Sequence, residues 1–230
     1  MKKALAILKK TSSDIAQKKL NREAKDGRVS IKMDGKKAVL VTLHCETDFV
    51  AKNEDFINLL DKIADMALEK MSAQGGPASG WKEEVQDMIN ALIQKTGENI
   101  VLGDVYEVSG NVLGNYVHNN KTGVIVTLEG GNTELAKDIA MHVTAMKPEY
   151  ISQDQIKEDD KKTMREVFEK EIAGADKPAD IKKKMLLGKM ATYFKERTLL
   201  DQIFIKGEDT VGELLQKNKA KIKEVKMSSI

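Results

Sequence analysis

Two stretches of this chain repeat one pattern, and that repetition limits its folds more than any other feature. "VLVTL" at 39–43 matches "VIVTL" at 124–128; each follows a polar turn containing Gly, and each leads into a helical pattern, "FINLLDKIADMA" and "ELAKDIAMHV". A period of two followed by a period of 3.6 buries the same faces wherever it occurs, so two copies of a hairpin-plus-helix unit are expected. The fold class that follows is α+β, with two related hairpin-plus-helix subdomains forming a core.

The surrounding segments fit that frame. Residues 4–25 carry Ala, Leu and Ile among Lys and Arg and read as a helix that "KDG" stops. "RVSIKMDGKKAVLVTLHC" reads as a hairpin about "DG", a strong short-range turn signal. Asn53 is a good N-cap, with Glu54 and Asp55 in the first turn where the helix dipole favours acids. Phe56, Leu59, Leu60, Ile63 and Ala67 then recur at helical spacing and predict a buried face. "SAQGGPASG" is a loop by composition, "WKEEVQDMINALIQKTG" a second amphipathic helix, and "VLGDVYEVSGNVLGNYVHNNKTGVIVTLEGG" a return to strands. From 152 to 198 two charged helices, "IKEDDKKTMREVFEKEI" and "ADIKKKMLLGKMATYF", flank "AGADKP". They predict an antiparallel helical hairpin protruding from the core, with Met164, Val167, Phe168 and Ile172 seamed against Ile181, Met185 and Met190; the other reading is a further helical layer of the core. "TVGELLQKN" reads as a short helix and "IKEVKM" as a terminal strand. The expected domains are an N-terminal helix and linker at 1–27, one core subdomain at 28–109, a second begun at 110–151 and completed at 199–230, and the hairpin at 152–198.

Composition narrows the functional classes. Lys and Arg number 38 against 36 Asp and Glu, a net charge of +2, so no single-sign field favours phosphate neutralisation. Aromatics are 4% of residues, too few for a base-stacking platform, and direct nucleic-acid binding is not expected. No apolar run approaches the ~20 residues that span a bilayer, and no membrane partner is expected. A single cysteine forms no internal disulfide, which suits a reducing cytoplasm.

Reactive chemistry is sparse. His44 and Cys45 are neighbours in a strand and point to opposite faces, which rules out a nucleophile–base pair. Cys45 is in phase with Val39, Val41 and Leu43 and reads as a small buried hydrophobe. His118 lies by a turn and reads as solvated, whereas His142, on a helix, reads as packed or as part of an interface. No spacing suits zinc and no Gly-rich loop cradles a phosphate, so the expected metals, cofactors and catalytic residues are none. Nothing supports an enzyme.

One element remains: "CETDFVAKNEDF", residues 45–56. Phe49 falls at the joint between strand and helix, among Glu46, Thr47, Asp48, Lys52 and Asn53. A lone aromatic commonly closes a core. Yet counting from the matched strands puts Glu134 opposite Phe49 in the second copy, so the shared fold needs no ring there. The alternative is an anchor for a pocket on a partner, held on a rigid joint.

"CETDFVAKNEDF" resembles the signature of the elongation factor Ts family, the guanine-nucleotide exchange factors of elongation factor Tu. "LKKTSSDIAQKKLNREAKDGRVS", "KTGENIVLGDV", "KTGVIVTLEG", "DIAMHVTAMKPEYIS" and "LLDQIFIKGEDTVGELLQ" extend the resemblance over nearly the whole chain. It implies two related core subdomains, a protruding helical hairpin and a cytoplasmic, bacterial-type translation factor. The family normally opens with a three-helix module related to ubiquitin-associated domains, and residues 1–27 resemble the end of that module. Either the module is absent or the chain is a fragment. Leu102 and Gly103 stand where members often carry basic residues.

The resemblance further implies that Thr47, Asp48, Phe49 and Val50 insert beside the magnesium and phosphate site of GDP-loaded elongation factor Tu. There Phe49 would wedge between helices and Asp48 would position the loop; the nucleotide-free GTPase is the second partner form. A second interface is expected in the second subdomain, with Thr122, Gly123 and His142 as candidates. The rival reading is a ribosome- or RNA-associated translation protein using Lys-rich helices at 4–25 and 182–195.

Overall fold

The computed structural model describes residues 11, 15–19, 21–70, 81–175 and 177–230. Two units divide the chain: residues 1–144 with 223–230, and residues 145–222.

The first unit is built on two three-stranded sheets. β1 (Asp26–Asp34) and β2 (Lys37–Cys45) form the expected hairpin, turning at Gly35 and Lys36, and β3 (Val101–Ser109) pairs on the other side of β2. Gly35 takes φ +54°, which a glycine adopts without steric cost. β4 (Val112–His118), β5 (Thr122–Glu129) and β6 (Lys221–Ser229) form the second sheet in that order. The matched segments 39–43 and 124–128 therefore occupy the central strand of each sheet, where both neighbours are paired. Each is followed by a long helix: α2 (Glu54–Lys70) after the one-turn α1 (Asp48–Ala51), and α4 (Thr133–Met146); α3 (Trp81–Thr96) precedes β3.

Side-chain alternation along β2 explains the layering. Its odd positions, Val39, Val41, Leu43 and Cys45, join Phe56, Leu60, Ile63, Ala67, Trp81, Val85 and Ile89 in one cluster beneath α2 and α3. Its even positions, Ala38 and Leu40, join Val29, Val108, Leu113 and Ile125 in another, between the two sheets. Both faces of β2 are therefore covered, and residues 38–43 are buried throughout. The expected face of α2 is the one observed: Phe56, Leu60, Ile63 and Ala67 are buried and Leu59 packs against the same cluster. Thr42 marks a bulge in the β2–β3 register, and its hydroxyl accepts from Asp104 N at 2.7 Å.

Of the helix expected over 4–25, Thr11 and residues 15–19 are helical and residues 21–25 are not, the chain turning at Asn21 ahead of β1; residues 4–10, 12–14 and 20, and the "SAQGGPASG" loop, lie outside the described residues.

In the second unit, α5 (Glu158–Ala173) and α6 (Ala179–Arg197) form the helical hairpin. Lys189 Nζ meets Glu171 at 2.7 Å, and Lys182 Nζ donates to Ala173 O at 2.9 Å. The seam differs from the expected one. Ile172, Leu186 and Phe194 are buried, and Phe168 meets Tyr193 edge to face at 5.6 Å between centroids. Val167, Ile181 and Met185 are exposed. Two helices crossing along one stripe cover only the residues on that stripe, and these three fall off it. At the hairpin's base Leu199 N donates to Tyr150 O at 2.8 Å, tying entry and exit together. α7 (Val211–Lys217) opens with a capping box between Thr210 and Glu213.

Candidate functional site

The joint after β2 is a helical turn where a bare turn was expected. Cys45, fully buried, donates its S–H to Thr47 O at 3.2 Å. Thr47 is extended (φ −131°, ψ 157°) and caps α1, its hydroxyl accepting from Val50 N at 3.4 Å. Asp48 occupies the first turn, where the helix dipole favours an acid. Ala51 is buried and Val50 packs against the helix-side core, so the inner side of α1 is seated. The remaining large side chain faces out: Phe49 is 83% exposed. That figure decides between the two readings of the ring, since a core-closing phenylalanine would be covered. Glu134, its counterpart in the second copy, is exposed as well.

Two residues that sequence reasoning left without a role complete the joint. Glu98 lies between α3 and β3. Its Oε2 accepts from Glu46 N and Thr47 N, each at 3.1 Å, and its Oε1 accepts from Thr47 Oγ1 at 2.6 Å. Glu46 returns the contact, accepting from Asn99 N at 2.7 Å, while Asn99 Nδ2 donates to Arg22 O at 2.6 Å. The one available signal was "GEN" directly after a helix, a loop too short to carry any periodicity.

Around this joint the charges are paired locally. Asp48 Oδ2 and Lys52 Nζ are 2.7 Å apart, and the hydrogen bond raises the lysine's pKa. Lys121 donates to Asp26 and, at 2.8 Å, to Gly27 O; that bond holds the Asp26 carboxyl below the usual range. Val29 N donates to Asn120 O at 2.9 Å, which seats the β4–β5 turn against β1. A groove lined by Arg28, Asp48, Ala51, Lys52, Asn120 and Lys121 thus opens at Asp48, the residue before the exposed ring.

Thr122, Gly123 and His142 require a correction. Gly123 and His142 are buried in this chain and Thr122 is 9% exposed, which leaves a partner little to touch. Gly123 lies beneath Val29 and Leu40, so close that a Cβ there would meet Val29 Cγ1 at 2.5 Å. The second interface is therefore not placed on them.

Burial pushes the Cys45 thiol up to about 12, far from a nucleophile's range at neutral pH, and it lowers the pKa of His44. His118 is exposed beside Tyr116 and Asn119. Among the described residues no three or more His, Cys, Asp or Glu side chains gather to hold a metal ion, and no helix is long and apolar enough to cross a membrane.

Fold and site together define an α+β chain that holds an apolar ring in water on a pinned helical turn. Residues 46–230 match the family described as Elongation factor TS. The chain is 38% identical to Elongation factor Ts of Hahella chejuensis, over 96% of this chain and 78% of that protein. It is 37% identical to Elongation factor Ts of Deinococcus deserti, over 93% and 83%, and 37% identical to that of Pseudomonas fluorescens, over 96% and 77%. The chain belongs to the elongation factor Ts family.

Proposed function

We propose that this chain is a guanine-nucleotide exchange factor that binds elongation factor Tu and promotes GDP release in translation elongation, a cytoplasmic process. The observation that carries the mechanism is Phe49, 83% exposed on a turn whose other side chains are seated or paired. Holding that ring in water forgoes burial, and insertion into a partner's cleft recovers it.

In this reading Phe49 enters between helices of the GDP-loaded GTPase, beside the elements that hold magnesium and phosphate. Thr47 and Val50 keep the turn in shape, and the Asp48–Lys52 pair sets the charge at its rim. No bond of the nucleotide is made or broken. Exchange follows from reciprocity: a protein that binds the empty GTPase more tightly than the GDP form weakens GDP by the same factor. Shifting such an equilibrium by ~10⁴ requires about 5.5 kcal/mol of differential affinity, and burying one Phe supplies roughly 1.5–3 kcal/mol. A wider surface must contribute the remainder. The groove that opens at Asp48, with Arg28 on one wall and Asn120–Lys121 on the other, is where that contact extends.

The test is direct. Elongation factor Tu loaded with a fluorescent GDP analogue is mixed with the chain and excess unlabelled GDP, and release is followed by stopped flow. Catalytic amounts of the chain should accelerate release. Release at the intrinsic rate across all concentrations, with no complex formed by the nucleotide-free GTPase, would refute the proposal.

A further inference from the structure

We infer that Glu98 is the positioning residue for Phe49: its carboxylate grips the joint ahead of α1 and sets the angle at which the ring leaves the core. The inference rests on the exchange function proposed above and adds a residue to it.

Three donors converge on this one side chain, namely Glu46 N, Thr47 N and Thr47 Oγ1. Bonds to an ionised acceptor are shorter and stronger than neutral ones. Because the Thr47 hydroxyl gives its proton to Glu98, its lone pair remains for Val50 N. The chain of contacts therefore runs from carboxylate to hydroxyl to the backbone of α1, two bonds from the residue that flanks the ring. Glu46 and Asn99 bond in the reverse direction, so the loop after α3 and the joint clasp each other from both sides.

Starting a helix at this point does not require such a clasp. In the second copy the equivalent cap is Asn132, whose own side chain accepts from Leu135 N at 2.8 Å. The long-range carboxylate at the first copy's joint fixes direction, beyond what capping needs. Direction matters at the ring. A swing of about 15° at Thr47 moves the tip of Phe49 by roughly 1–2 Å, outside the ~0.5 Å to which a working contact must be held.

The experiment compares wild type, Glu98→Gln, Phe49→Ala and the double variant in nucleotide release from elongation factor Tu. An amide keeps the shape of the side chain but loses the charge and replaces one acceptor by a donor facing N–H groups. Glu98→Gln should lower the saturated release rate by about 10- to 30-fold, KM changing by less than about threefold, because misplacement is felt in the transition state. In the Phe49→Ala background the same change should cost less than about twofold, since there is no ring left to aim. Losses that multiply in the double variant, or a Glu98→Gln protein with wild-type exchange beside an impaired Phe49→Ala, would overturn this inference alone. A Phe49→Ala protein with wild-type exchange would remove the probe mechanism and this inference together. Should Glu98→Gln depress the melting temperature, Glu98→Asp, which keeps the charge on a shorter reach, reads the same point. A release rate that falls only with the folded fraction in both would assign Glu98 to stability and overturn the proposal.

Discussion

Replacing Phe49 by Ala separates two roles that a lone aromatic can have, and the structure sets the size of each. Full burial of a Phe side chain is worth roughly 1.5–3 kcal/mol. With 83% of the residue exposed, only about a sixth of that contact lies within the chain, or ~0.3–0.5 kcal/mol. Ala is the better helix former by up to about 0.7 kcal/mol, which offsets the loss within α1. The melting temperature should thus move by less than about 2 °C, given ~2–4 °C per kcal/mol for a chain of this size. Binding is affected far more. If the exposed five-sixths becomes buried in elongation factor Tu, its removal costs ~1.2–2.5 kcal/mol, a 7- to 60-fold loss at about 1.4 kcal/mol per decade. The assay is stopped-flow release of a fluorescent GDP analogue, run beside thermal unfolding of the same preparation. Wild-type exchange would refute the reasoning, and so would a fall in melting temperature of 5 °C or more, because that would show the ring packed within its own chain.

Three further outcomes follow from the same structure. Cys45, with its thiol pushed up to about 12, should resist a thiol-specific reagent at pH 8 and react fully once denatured. Its raised folded-state value favours the protonated form, so its contribution to stability is complete below pH 9.0 and is lost as pH climbs toward about 12, measurable as an alkaline fall in melting temperature that is smaller in Cys45→Ala. Asp26 has the opposite sign: its lowered pKa contributes stability above 3.8 that disappears as pH falls through the folded value. Lys121→Met should return the Asp26 carboxyl toward its ordinary range in an NMR titration and flatten the acid limb of the stability curve. Gly114→Ala places a Cβ 2.2 Å from the backbone of Ala136 and Lys137 in α4, which cannot yield as a side chain would. Overpacking of this kind costs about 1–3 kcal/mol, so a fall of ~2–12 °C in melting temperature is expected.

Much of the architecture was legible because its signals are local. The hairpin about Asp34–Gly35, the face of α2 from Phe56 to Ala67, and the strand-then-helix pattern that follows each of 39–43 and 124–128 depend on residues within a few positions of one another. The outward placement of Phe49 was legible too, through the comparison with Glu134, since a repeat shows which residues the shared fold can do without. The helix over 48–51 was not. Four residues carry no periodicity, and the turn exists because Thr47 caps it while Ala51 finds a seat under the sheet. Glu98 was invisible for a related reason: it lies 51 residues from Thr47, and nothing in "GENI" says which backbone groups its carboxylate will meet.

The misplaced interface residues make the same division clearer. Thr122, Gly123 and His142 were candidates as members of the second subdomain, yet Thr122 and Gly123 fall on β5, the central strand of its sheet, and His142 on the inner face of α4. A strand's own period tells which side chains share a face, and this was read correctly along β2. It does not tell what will lie against that face. Taken alone, then, the order of amino acids determined the strands, the longer helices, the inward stripe of α2 and the ring that belongs to neither. Closure of the chain decided which faces are covered and which distant acceptor grips the joint. The reason is physical: propensity and periodicity act between near neighbours, whereas burial and long-range hydrogen bonds exist only after remote segments have met.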